Sequence, residues 1–168
     1  MKGLIEIYHA STERVEKPDC SLGRSNLDFG QGFYLTDIYE QAHMWAHRRA
    51  LRNGGDAIIN VYTLDRKGLL SEARSKIFDS YDEEWLRFIV ACRNGEPVWK
   101  DSDYIEGGVA DDRIINTVTM YMQGYMPKDE ALNRLRYLKP NNQICIISQS
   151  LLDKYLVFTD CITLDNNG

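Results

Sequence analysis

Hydrophobic positions along the chain change period several times, and each change marks a predicted element. Leu4 to His9 reads as a strand that runs out into an irregular loop to about Gln31, followed by a short second strand over Gly32 to Thr36. A helix comes next. Thr36 or Asp37 stands where a cap belongs, Ile38, Ala42, Trp45 and Ala46 recur at helical spacing, and Gly54-Gly55 closes it behind Arg48, Arg49 and Arg52. The β-branched run from Ala57 to Thr63 (AIINVYT) predicts a buried strand.

In the second half, Ser80 to Glu83 (SYDE) has the form of a capping box. It opens a helix that sets Trp85, Phe88, Ile89 and Cys92 on one face and stops at Asn94-Gly95. Tyr104 to Val109 predicts a strand. Asp111 or Asp112 then caps a helix with Ile114, Ile115, Val118 and Met122 inward, and Pro127 begins another through Leu132, Leu135 and Leu138 to Pro140. Gln143 to Ser148 and Leu156 to Thr163 are strand-like, with a helical turn between them from Ser150 to Tyr155. Strands at both ends with helices grouped between them predict an α+β fold rather than a regular alternation. The segment HAST after the first strand also lacks the glycine-rich phosphate loop of a doubly wound sheet.

A length of 168 residues suits one domain over 1–168, and neither an internal repeat nor a linker-like tract divides it. The opening MKGLIEIYHAS lacks the unbroken apolar core of a signal peptide, and no apolar run approaches a membrane span. The expectation is a cytoplasmic protein with no membrane association. A net charge of -5 argues against a protein that coats nucleic acid, which needs a concentrated basic face. The two basic clusters, His47-Arg48-Arg49 with Arg52, and Arg134 with Arg136 and Lys139, read as solvated helix faces.

Cys20, Cys92, Cys145 and Cys161 show no CxxC pair, so neither a zinc site nor a disulfide framework is read from them; only Cys20 falls in a polar loop. His43 and His47 have i, i+4 spacing but lack the HExxH glutamate, and no metal site is assigned. The polar groups with chemical promise sit at strand ends: His9 in the first strand, Tyr34 in the second, and Gln143 opening a late one. Singly, each reads as a satisfied structural residue.

Taken jointly, Tyr8-His9-Ala10-Ser11-Thr12, the stretch Gly30 to Thr36 (GQGFYLT) with Gln41-Ala42 and Trp45-Ala46 on the helix behind it, and Asn142 to Ile146 (NQICI) resemble the ADP-ribosyltransferase superfamily. Within it the sequence is most similar to a bacterial group catalogued as a domain of unknown function. The resemblance spans nearly the whole chain and is sharpest over residues 8–12 and 23–46. It implies a split, mixed β core with helices packed around it, and a cleft that grips NAD as a substrate. By position His9 matches the first-strand histidine, Tyr34 the second-strand tyrosine, and Gln143 the place usually held by glutamate.

That resemblance implies an NAD-dependent ADP-ribosyltransferase acting on an intracellular macromolecule, protein or nucleic acid, of the toxin or defence type, with a cognate inhibitor protein as a partner. In it His9 bonds the adenosine-side ribose, the backbone of Ala10 pairs with the nicotinamide amide, Tyr34 stacks on the ring, and Ser11 adds a hydroxyl. Arg24 offers a fork for the pyrophosphate, and Gly32 lets the backbone approach closely. Gln143 departs from the pattern because an amide cannot ionise. Charge stabilisation is therefore expected from a carboxylate, with Asp112 first and Asp111, Glu106 and Asp28 as alternatives. The competing readings are an NAD glycohydrolase and a catalytically silent module that binds NAD or ADP-ribose.

Overall fold

The computed structural model describes residues 3–110, 112–136 and 141–165. In chain order its elements are β1 (Leu4–Ser11), β2 (Phe33–Leu35), α1 (Tyr39–Asn53), β3 (Ile58–Asp65), α2 (Arg66–Glu72), β4 (Ser75–Ile77), α3 (Glu83–Arg93), β5 (Tyr104–Gly107), α4 (Asp112–Met122), α5 (Lys128–Arg136), β6 (Gln143–Ile146), α6 (Gln149–Tyr155) and β7 (Leu156–Thr163). A 3-10 turn occupies Pro97–Asp101. The class is α+β, and the strands form two sheets. One is antiparallel in the order β1-β3-β7. The other runs β2-β6-β5-β4 and is antiparallel except where β4 lies parallel to β5.

A one-residue bridge joins the sheets: Tyr8 and Thr36 each donate an N–H to the other's carbonyl at 2.9 Å. The sheets also share a core. Ile7, Tyr62 and Leu64 from the first meet Phe33, Leu35, Tyr104, Ile144 and Ile146 from the second in one buried cluster. This arrangement explains why β3 carries hydrophobic residues on both faces. By strand alternation, Tyr62 and Leu64 turn toward the second sheet, while Ile59 and Val61 turn toward Ala42 and Ala46 of α1. A strand covered on both faces reads as continuous rather than alternating. On the far side of the second sheet, Trp85, Ile89, Ile114 and Leu135 from α3, α4 and α5 pack around Phe29 and Ile105.

Several boundaries differ from expectation for local reasons. Thr36 does not begin α1; Ile38 occupies the cap position, and the Thr36 hydroxyl instead accepts from the Ile38 N–H at 3.1 Å. The α3 cap is Asp82, whose carboxylate accepts from the Trp85 N–H at 2.9 Å, in place of Ser80. Three short elements, α2, β4 and the 3-10 turn, carry no strong pattern of their own. The α2 cap is Asp65, accepting from the Gly68 N–H at 2.9 Å, and β4 gains its partners only by lying along Tyr104–Glu106. Asp111, Leu138, Lys139 and Pro140 lie outside the described residues.

Candidate functional site

The cleft follows from where β1 and β2 stop pairing. β1 continues along β3 through Ser11, against the expected end at His9, but its contact with the second sheet ends at Tyr8. Strand geometry turns alternate backbone groups to the same edge. The N–H and C=O of Ala10 therefore face the same way as those of Tyr8, into the gap beyond the bridge. The Ala10 carbonyl accepts from Arg49 Nη1 at 3.3 Å.

His9 sits at the opening of that gap, its ring stacked on Phe33 with centroids 4.2 Å apart. Its Nδ1 lies 2.7 Å from the Tyr34 carbonyl. A carbonyl has no proton to give, so Nδ1 carries the hydrogen and Nε2 of the neutral ring remains an acceptor. Burial lowers the His9 pKa to about 4; the Tyr34 carbonyl opposes that shift and the Arg49 charge adds to it. The ring is neutral at pH 7.

Tyr34 follows Phe33 with the opposite orientation, and its hydroxyl is committed to the loop before it. It donates to the Gly30 carbonyl at 2.6 Å and accepts from the Phe29 N–H at 3.1 Å. Burial raises the phenol's pKa well above its ordinary value, so it stays protonated and able to donate. Gly30 makes the loop's bend with φ +78°, and a Cβ there would fall 2.0 Å from the Trp99 ring. Gly32 borders the cleft, but its missing side chain is explained by β6: a Cβ would lie 2.5 Å from Cys145 Sγ.

Gln143 opens β6 on the other wall and is buried. Its Nε2 donates to Asp28 Oδ2 at 3.2 Å and to the Gly108 carbonyl at 3.4 Å. Both partners only accept, so the amide has one orientation and Oε1 is the acceptor it has left. Asp28 is also bonded to Arg93 at 2.5 Å and to the Ala110 N–H at 3.2 Å.

These residues line a bilobed cleft. The larger lobe, about 770 Å³, is bordered by His9, Ser11, Asp28, Tyr34 and Gln143. The smaller, about 270 Å³, is bordered by His9, Ala10, Tyr34, Gln41 and Trp45. Arg49 and Arg52 border both lobes and Arg48 the smaller, so α1 turns its basic side into the cleft rather than simply toward solvent. The bare count of basic residues hid this, because the packing of Ala42 and Ala46 against β3 decides which way α1 faces. Volume alone does not select the site. A cavity of about 740 Å³ between Asp79–Glu83 and α5 is lined by Asp79, Asp82, Glu83 and Asp129 and holds none of the His9, Tyr34 and Gln143 set.

The remaining expected residues are distributed unevenly. The Ser11 hydroxyl accepts from the Glu13 N–H at 3.1 Å at the edge of the larger lobe. Arg24 is exposed in the loop and borders neither lobe, though its charge reaches Arg49. Asp112 opens α4. Glu106 lies in a different cavity, of about 350 Å³, bonded to Arg66, Tyr104 and Asn142. The Cys20 thiol is buried, in contrast to its polar sequence setting, and burial pushes its pKa up to about 12. His43 and His47 pack edge to face at 4.6 Å, and among the described residues no cluster of three metal-ligating side chains includes them.

Two sheets joined at one bridge, with a polar cleft opening where they part, define an α+β protein. The chain belongs to the family described as "Protein of unknown function (DUF3990)", whose model matches residues 5–158. No curated protein and no solved structure matches it. Among the described residues no helix is long and apolar enough to cross a membrane.

Proposed function

We propose that the protein is an NAD-dependent ADP-ribosyltransferase with an ADP-ribosyltransferase-like split core. The observation that carries this reading is the convergence of His9, Tyr34 and Gln143, from three separate strands, on one cavity of about 770 Å³. In this reaction the bond from the ribose anomeric carbon to nicotinamide breaks, nicotinamide leaves with the bonding electrons, and the acceptor's nucleophile bonds to that carbon and loses its proton. The ribose passes through an oxocarbenium-like state, which is stabilised by nearby negative charge and by fixed dipoles.

Each role follows from an atom available to the cleft. Nε2 of neutral His9 accepts from a ribose hydroxyl. The Ala10 edge pairs with a carboxamide, the half-buried Tyr34 ring supports the nicotinamide plane, and Ser11 adds a hydroxyl at the wall. Gln143 Oε1 accepts from the ribose next to the reacting carbon. Asp28, directly behind that amide and paired with Arg93, is the carboxylate that borders the same lobe and orients the amide. Arg49, which borders both lobes, meets the pyrophosphate, with the Arg24 charge near it.

Incubation with labelled NAD and a cell lysate tests the reading: label appears on a macromolecule, nicotinamide is released, and His9→Ala abolishes both. Nicotinamide release without label on any macromolecule favours the glycohydrolase. A preparation that binds NAD without consuming it is the silent module, and one that neither binds nor consumes NAD overturns the proposal.

A further inference from the structure

Gln41 sits at the seam between the two sheets, buried with only one end of its amide satisfied. It is 5% exposed, and its Nε2 donates to Thr36 Oγ1 at 3.0 Å and to the Asn142 carbonyl at 2.7 Å. A carbonyl only accepts, so the amide cannot be turned over to exchange its ends. Oε1 is left buried without a hydrogen-bond partner among the described residues. An unmade bond at a buried acceptor costs free energy.

Removing the amide would orphan neither of its partners. The Asn142 carbonyl also accepts from the Thr36 hydroxyl at 2.9 Å, and Thr36 Oγ1 also accepts from the Ile38 N–H at 3.1 Å. An apolar side chain of the same length would fill the same space and leave no buried acceptor unmatched. Fold stability therefore does not account for a glutamine here. A locally unfavourable residue kept beside a cleft points to the work of the cleft.

Both of its anchor points lie within one residue of that cleft's polar groups. Thr36 forms the second sheet's half of the bridge to Tyr8, and His9 follows Tyr8. The Asn142 carbonyl belongs to the planar peptide unit whose N–H is that of Gln143. Gln41 is itself fixed, because the next residue, Ala42, packs α1 against β3. We propose that Gln41 is a positioning residue: its two donors lock the Asn142–Gln143 peptide to Thr36, and so set where Gln143 stands relative to His9 in the larger lobe. It acts through Gln143 and touches no substrate in this role. Its effect on the transfer rests on the NAD reading; its hold on Gln143 does not.

Gln41→Met keeps the length of the side chain and loses the amide, and it tests the proposal on the full chain. Its urea midpoint is expected within about 0.3 M of the parent's, or above it. The Gln143 side-chain amide protons, held by Asp28 and the Gly108 carbonyl, should exchange about fivefold faster or more by NMR, while those of Asn60, buried in β3, keep the parent's rate. In nicotinamide release, kcat falls about tenfold or more with KM for NAD within about threefold, because Gln143 meets the ribose beside the reacting carbon whereas binding is spread along the cleft. An unchanged Gln143 exchange rate overturns the proposal. So does a loss of stability with faster exchange at Asn60 as well, which marks Gln41 as a structural residue only. Faster Gln143 exchange with unchanged kcat overturns the role in transfer. A parent protein that never consumes NAD overturns the transfer reading, and the Gln143 exchange rate still decides whether Gln41 holds that amide.

Discussion

Gln143 and Asp28, 115 residues apart in the chain, meet at 3.2 Å as donor and acceptor on the wall of the larger lobe. The contact gives a physical reason for an amide at this position. A donor is needed at the end of the side chain, because Asp28 Oδ2 and the Gly108 carbonyl both face it as acceptors. A carboxylate there would meet a carboxylate and a carbonyl.

Gln143→Glu is therefore not a restoration of a missing catalyst. At neutral pH the introduced carboxyl either repels Asp28 or takes up a proton, since two carboxylates at hydrogen-bond distance do not both ionise easily. We expect the variant to be destabilised by about 1–3 kcal/mol at pH 7. The introduced group has a raised folded-state pKa, so its deficit against the parent shrinks as pH falls below about 5 and grows as pH rises. Urea denaturation of both proteins at pH 4.5 and 7.5 measures this; a deficit independent of pH would contradict the Asp28 contact. Asp28→Asn combined with Gln143→Glu should recover stability at pH 7.5.

His9 supplies a pH dependence of its own. Its folded-state pKa, about 4, lies below the ordinary histidine value near 6.5 because burial disfavours the charged ring. The unfolded chain then binds the extra proton between these values. The stabilising contribution is complete above about pH 6.5 and is lost as pH falls toward 4. His9→Gln should flatten the stability profile across that window, and proton NMR should show one of the three histidines titrating near pH 4. If His9 instead titrates near its ordinary value of about 6.5, the neutral-acceptor role of Nε2 loses its basis.

How much of this the sequence disclosed depended on the range over which each feature is encoded. α1 was legible because Ala42 and Ala46 recur within two turns and Gly54, with φ +76°, stops the helix locally. β3 was legible because both its faces are covered. By contrast α2 is seven residues long, contains Gly68, and depends on Asp65 for its cap, so no period develops. At the site, His9, Tyr34 and Gln143 could be named together only through the resemblance that their surrounding motifs carry. The Gln143–Asp28 contact could not, since it forms only when the loop before β2 folds against the start of β6. The placement of Arg49 and Arg52 was hidden similarly: the spacing shows a basic helix face, and only packing against β3 shows that it borders a cleft.

The wall of the larger lobe at Glu13 and Val15 depends on one buried amide. Asn60 is fully buried in β3; its Oδ1 accepts from the Val15 N–H at 2.8 Å, and its Nδ2 donates to the Glu13 carbonyl at 2.9 Å. Val15 is also tied by its carbonyl to the Tyr62 hydroxyl at 2.6 Å. Asn60→Ala removes two hydrogen bonds to the loop and leaves a small void. We expect a loss of about 2 kcal/mol and faster hydrogen exchange at Val15. Asn60→Asp keeps the acceptor but loses the donor and buries a charge, so it should be the worse of the two at pH 7. Equal stability of parent and Asn60→Ala would show that these two hydrogen bonds contribute nothing.

Tyr34 carries two roles that a single substitution can separate. Its hydroxyl holds the loop through Gly30 and Phe29, whereas only its ring is available to a ligand in the cleft. Tyr34→Phe removes the first role and keeps the second. It should cost about 1–2 kcal/mol from the two lost hydrogen bonds, and limited proteolysis should cut sooner between residues 20 and 31. If stacking is what binds nicotinamide, NAD affinity measured by calorimetry changes less than threefold in Tyr34→Phe and falls at least tenfold in Tyr34→Leu, which lacks the aromatic plane. Should both variants lose affinity equally, the hydroxyl's hold on the loop, rather than the ring, is what the ligand requires. The cleft would then be shaped chiefly by the Gly30 bend against Trp99.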